Sequence, residues 1–209
     1  MTARARLLLA AAAVCAAFAG FWLARQLDRE APQLASGTWL PRARAVADFH
    51  LQDASGRPFT RQDLIGTPAL VFFGFTHCPD VCPTTLLKLA RVRREATVPD
   101  LRVLFVSIDP QRDTAPVVGM YVHAFDASFE GLTGDAVAIG ALAANFSVAF
   151  NRVALPDGDY TMDHSAVVFL LDRQARIAAI FTPPLEVQAL AADLKRAAAY
   201  LGRGVKVAT

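Results

Sequence analysis

At 209 residues, 54% of them hydrophobic and 19% charged, the chain is long enough for one core and an appendage. Its 21 basic and 19 acidic residues leave a formal net charge of +2, spread along the chain, which excludes a phosphate-binding field and with it nucleic acid as a partner. The one local charge run, Arg91, Arg93, Arg94 and Glu95, reads as the solvated face of a helix.

In chain order, residues 7–24 are an unbroken apolar or small-residue run with Arg4 and Arg6 before it and Arg25 after it. At about 18 residues it is just long enough to span a bilayer core. The run exceeds a signal-peptide core and lacks an evident cleavage site, so a retained single-pass transmembrane helix is expected. The preceding arginines put the N-terminus in the cytoplasm and the rest of the chain on the far side. Cys15 lies inside this run as a small hydrophobe. The sequence therefore divides into a membrane anchor (1–27), a linker rich in proline and polar residues (28–45) and a globular domain (46–209).

Within the domain, Phe49 and Leu51 alternate with polar residues before the turn DASGRP and predict an opening hairpin. The run PALVFFGF (68–75) predicts a strand buried on both faces. Leu86, Leu87, Leu89, Ala90 and Val92 then set a helical pattern over 84–96, and LRVLFVSID (101–109) is a second buried strand. Helices follow near 114–126 and 135–146, then a hairpin or irregular excursion through SVAFNRVALPDGDYTMD. HSAVVFLLD and RIAAIFTP read as strands, and a last amphipathic helix runs over 185–201. Strands alternating with helices predict an α/β sheet covered on both faces.

Two of the three cysteines stand in FFGFTHCPDVCP (72–83), just past a buried strand and at a helix start, where open α/β sheets place their ligands. Pro83 fits the first helical position, and Pro79 holds Cys78 extended. Cys82 is then expected at the helix N-terminus, with its thiol pKa lowered by the free N–H groups. A structural disulfide across three residues would remove little chain entropy. That leaves a redox pair or a soft-metal site. Redox motifs at this junction favour C-x-x-C, whereas the wider C-x-x-x-C lets two sulfurs face one ion. Of the four histidines, His50 and His123 read as surface residues, and His77 points away from its neighbour Cys78. His164, which opens the strand HSAVVFLLD, reaches the cysteines only if strand direction brings the correct end to the same rim. Zinc is disfavoured for want of a fourth ligand.

The block FHLQDASGRPFTRQDLIGTPALVFFGFTHCPDVCPTTL, followed by VSIDPQRDT and DGDYTMDHSAVVFLLD, resembles the Sco/SenC family of membrane-anchored copper-binding proteins. The resemblance implies a thioredoxin-like fold, a central mixed sheet flanked by helices. It implies that Cys78, Cys82 and His164 hold one copper ion, as Cu(I) and also Cu(II), with Asp163 beside them orienting a ligand or capping a turn. The histidine segment stands where thioredoxin-type reductases carry a proline. The function implied is delivery of copper to the dinuclear copper centre of cytochrome c oxidase during its assembly. The partners implied are the copper-bearing oxidase subunit, a copper donor, a thioredoxin-like reductant and the membrane. The location implied is the bacterial inner membrane with the domain in the periplasm, or the mitochondrial inner membrane in a eukaryote. The alternative is a thiol-disulfide reductase in which Cys78 and Cys82 keep the oxidase cysteines reduced. A peroxidase on the same fold is the weaker third option, because Phe75 and Pro79 stand where that chemistry needs a hydroxyl. Asp80 and Asp109 are expected near the site or in turns, and Phe73 and Phe75 in the core.

Overall fold

The computed structural model describes residues 13–22, 31–156 and 158–201. These fall into two units, one containing 13–22 and the other beginning at Pro32. Residues 13–22 form helix α1, with Val14, Phe18, Phe21 and Trp22 exposed. Among the described residues no helix is long and apolar enough to cross a membrane. Most of the expected anchor (1–27), including both ends of the 7–24 run, lies outside the described residues.

The second unit is built on an eight-stranded mixed sheet in the order β1-β10-β9-β4-β5-β6-β2-β3. In chain order its strands are β1 (Gly37–Ala45), β2 (His50–Asp53), β3 (Pro58–Thr60), β4 (Ala69–Gly74), β5 (Arg102–Ser107) and β6 (Glu130–Thr133). A separate two-stranded hairpin, β7 (Phe150–Ala154) and β8 (Tyr160–His164), precedes β9 (Val168–Leu171) and β10 (Arg176–Phe181). Among the described residues four α-helices, α2 (Val81–Ala96), α3 (Ala115–His123), α4 (Ala136–Asn145) and α5 (Val187–Leu201), and a 3-10 turn over Arg61–Leu64 complete the unit. β4, β5 and β6 run parallel, as crossover helices require, while β9 runs antiparallel to β4.

All of β4 and β9 is buried, the consequence of apolar runs covered on both faces. Alternation turns Phe72 toward Phe105 and Phe73 to the other face, where it meets Phe146 and Phe169 edge-on. α2 buries Cys82, Leu86, Leu89 and Ala96, and α5 buries Leu190, Leu194, Ala197 and Leu201. Both are three- and four-residue spacings that put one stripe on the core, and the two helices pack together.

Two expectations are corrected. The supposed linker 28–45 contains β1, which pairs antiparallel with β10 through a register shift between Trp39 and Arg44. Pro41 falls inside that irregularity on an edge strand, where a missing N–H breaks no ladder. Trp39 packs edge-on against Tyr200 of α5, and the fully buried Asp193 accepts from the Ala35 and Ser36 N–H groups at 2.8 and 2.7 Å. The second correction concerns His164, which closes β8 rather than opening the next strand.

Candidate metal centre

β4 ends at Gly74, and the chain enters α2 through the loop that carries Cys78. The helix begins two residues earlier than expected: Asp80 is its N-cap, Cys82 its second residue and Pro83 its third. Pro83 still lacks only an N–H that no helical carbonyl would receive. Because β9 is antiparallel to β4, with Phe72 opposite Val168, the residues before β9 return to the rim where β4 ends. That direction, which the sequence left open, brings His164 to the cysteines.

The His164 Nε2 stands 3.5 Å from the Cys82 Sγ. The three donor atoms of Cys78, Cys82 and His164 all lie within 4.8 Å of one another, and no disulfide joins the thiols. Phe72 and Phe75 face the imidazole with ring centroids 6.1 and 6.0 Å away, the second nearly perpendicular. The Cys82 sulfur is buried and lies against Gly74. A Cβ on Gly74 would fall 2.8 Å from that sulfur and 2.7 Å from the Phe105 ring, so only glycine admits this approach. His164 Nδ1 is 3.3 Å from the carbonyl of Ser165, an acceptor that directs the other nitrogen toward the sulfurs.

The two thiols differ, and in the sense opposite to the expectation. Cys78 Sγ accepts the N–H of Cys82 at 3.4 Å, so the sulfur lying in front of the helix receives its free donors. Cys82, already inside the first turn, points into the core. Cys78 is lowered to about 5, first by its hydrogen bond with the Cys82 side chain, then by the Cys82 and Asp80 N–H groups and by His164, against the opposing pull of burial. Cys82 is pushed far above the ordinary thiol range by that same bond and by burial. The two form one coupled pair whose first proton leaves from Cys78. Brief alkylation at about pH 6 therefore labels Cys78, a partly exposed thiolate, and spares Cys82, as peptide mass spectrometry would read. Equal labelling would contradict the asymmetry.

The remaining sequence candidates are distributed as follows. Asp163 is exposed and pairs in register with Asn151. Strand alternation turns it from His164, and no hydrogen bond joins it to any of the three donors among the described residues; it lines an open groove with Asn151, His164 and Ser165. Asp80 is exposed and accepts from the Thr84 hydroxyl at 3.3 Å. His77, half exposed, lies 3.8 Å from Asp113 and outside the donor cluster. His50 and His123 are exposed, and Phe73 and Phe75 are buried.

Sequence reasoning missed Asp113 and Tyr121. Asp113 is fully buried. It accepts from the Thr76 N–H at 2.9 Å, the Thr76 hydroxyl at 2.5 Å and the Ser107 hydroxyl at 2.6 Å, anchoring the loop two residues before Cys78. Tyr121, from α3, packs on Phe105. Its buried hydroxyl has no hydrogen-bond partner among the described residues, and burial, then the charges of Cys82, Cys78 and Asp113, raise its pKa. Asp113 had a signal in the run DPQRDT, of which only the first aspartate, Asp109, was read, as a residue near the site or in a turn.

Two thiols and one imidazole, with no carboxylate among them, form a soft donor set. The family model described as SCO1/SenC matches residues 39–199. The mitochondrial SCO2 homolog of Bos taurus is 38% identical over 171 residues, covering 78% of this chain and 64% of that protein; the chain thus spans under two thirds of that relative's length. Bradyrhizobium japonicum ScoI with copper bound is 40% identical, with a TM-score of 0.66, covering 73% of this chain and 98% of the other. Arabidopsis thaliana ScoI with copper bound is 32% identical, with a TM-score of 0.69 and the same two coverages. The mixed sheet and its helices form the thioredoxin-like α/β fold of these structures.

Proposed function

The chain belongs to the SCO1/SenC family, and from that premise we propose that it is a membrane-anchored copper metallochaperone that delivers one copper ion to the dinuclear copper centre of cytochrome c oxidase. The observation that carries this reading is the imidazole of His164 at 3.5 Å from the Cys82 sulfur, with all three donor atoms inside 4.8 Å. A thiol-disulfide couple has no use for that third donor. Cu(I), a soft ion content with few ligands, does, and copper-bound relatives support the same assignment.

Cys78, Cys82 and His164 hold the ion as Cu(I); the imidazole also tolerates Cu(II). Delivery proceeds by ligand exchange. An acceptor thiolate enters beside the partly exposed Cys78, the ion passes to it stepwise, and no bond in a substrate breaks. The protein is therefore a carrier rather than an enzyme. A copper donor loads it, and a thioredoxin-like reductant keeps its thiols reduced in an oxidising compartment. The apolar run at 7–24, with Val14, Phe18, Phe21 and Trp22 exposed on α1, supports an anchor in a bacterial inner membrane with the domain on the periplasmic side. The acceptor is the copper-bearing oxidase subunit.

The test is transfer itself. The Cu(I)-loaded protein is mixed anaerobically with the reduced, metal-free copper domain of an oxidase subunit, the two are separated, and copper is measured in each. Copper recovered on the acceptor supports the carrier. If copper stays where it began while the metal-free protein reduces an acceptor disulfide, the reductase reading replaces it.

A further inference from the structure

His164 sits on a hairpin that is not part of the main sheet. A two-stranded ribbon is marginal by itself, and its last residue is held only by the ladder to β7, with Phe150 opposite His164, and by none to the main sheet. Phe150 and Met162 pack part of it on the core. Among the described residues its polar ties, besides the His164 contact with Cys82, come from one short loop, residues 109–113.

Three side chains of that loop grip the hairpin. Asp109, buried, accepts from the Tyr160 hydroxyl at 2.8 Å and from Arg112 Nε at 2.6 Å. Arg112 Nη1 donates to the Tyr160 carbonyl at 2.9 Å, and its guanidinium carbon lies 3.7 Å from the centre of the Tyr160 ring. Gln111 accepts from Arg152 of β7 at 3.1 Å, and that guanidinium covers the other face of Tyr160 at 3.5 Å. Tyr160 is thus clamped between two cations, one from each side of the junction. It is the first residue of the strand whose last is His164. Arg112 also lies 6.0 Å from the Phe75 ring, which stands edge-on to the imidazole. At its other end the same loop holds the cysteine segment through Asp113 and Thr76.

We propose that the loop 109–113 is a brace that sets the distance between the thiol pair and the imidazole, with Arg112 a positioning residue acting on His164 through Tyr160. The inference rests on the reading of Cys78, Cys82 and His164 as copper ligands. Without the brace the dithiol still binds, but the imidazole no longer stands in place when the ion arrives, so its share of the affinity falls.

A double-mutant cycle separates this role from a general effect on folding. Cu(I) affinity is measured by anaerobic competition for the wild type, Arg112→Ala, His164→Ala and the double variant, with thermal melts in parallel. The expected result is a loss of about tenfold for Arg112→Ala, the scale of one charge-assisted hydrogen bond, and no further loss when His164 is already alanine. The same loss in both backgrounds overturns the brace, since Arg112 would then act on the cysteines or on the whole fold. If His164→Ala binds as tightly as wild type, the ligand reading fails and the brace falls with it, a signature distinct from additivity. Should Arg112→Ala not fold, Tyr160→Phe, which removes only the hydroxyl that reaches Asp109, is read in the same cycle with the same direction.

Discussion

Replacing Cys78 and Cys82 together by serine abolishes Cu(I) binding, and His164→Ala alone weakens it by at least about a hundredfold, more than the loss of an outer hydrogen-bonding partner costs a metal site. The reason is softness and number. A serine hydroxyl is a hard, protonated donor that Cu(I) does not favour, and neither serine reproduces the sulfur pair that accounts for two of the three candidate donor atoms within 4.8 Å of one another. Removing the imidazole leaves two sulfurs, one buried and one partly exposed, with an open coordination position facing Phe72 and Phe75. An anaerobic competition titration against a strong Cu(I) chelator gives both numbers. An His164→Ala protein with unchanged affinity would leave the dithiol as the whole site, and thiol exchange would then be the chemistry to pursue.

Asp113→Ala carries the largest cost to stability, roughly 3–5 kcal/mol, because it orphans three buried or part-buried donors at once, at about 1–3 kcal/mol each before relaxation. Those donors are the Thr76 N–H, the Thr76 hydroxyl and the Ser107 hydroxyl. Water does not reach the site to replace the carboxylate, since the side chain is fully buried. Chemical denaturation at neutral pH reads the loss. At a few degrees per kcal/mol for a domain of this size, the melting temperature falls by about 10 °C. Asp113→Asn keeps an acceptor oxygen and costs less. A loss under about 1 kcal/mol for the alanine variant would mean that Thr76 and Ser107 find other partners, and the anchoring of the Cys78 loop would have to lie elsewhere.

Much of the scaffold was legible because its signals are periodic. The apolar run that became β4, the three- and four-residue spacing in α2 and α5, and the turn between β9 and β10 all follow from side chains that have one place to go. Elements with a weak period were lost. β1 is half exposed along its length and contains Pro41, so its sequence reads as a linker, yet an edge strand with a register shift tolerates both features. β6 has four residues and offers too short a window.

At the site, the cysteine pair was readable from spacing and address. Its meeting with His164 was not, because it depends on β9 running against β4, a property of topology rather than of any local run of residues. The order of thiol acidity was misread for a related reason. Sequence places Cys82 at the helix start, but the free N–H of the helix points back to Cys78. Asp113 hid in a turn-like DPQRDT because burial of a carboxylate cannot be seen without the hydroxyls that surround it.

The 82 positions that separate Cys82 from His164 in the chain have a consequence for the life of the proposed carrier. An unfolded chain offers the ion the neighbouring sulfurs of Cys78 and Cys82; the imidazole of His164 is held beside them only in the native fold. An ion that binds both states stabilises the native one only by the margin of its tighter binding there, about 2.7 kcal/mol for the hundredfold that His164 adds. That is a large share of the net stability, on the order of 5–15 kcal/mol, that holds a typical domain together. For a copper carrier of the kind proposed, the loaded protein is therefore the longer-lived one, and each delivery returns it to the population that proteases meet first, so that cargo and turnover are coupled by the fold itself.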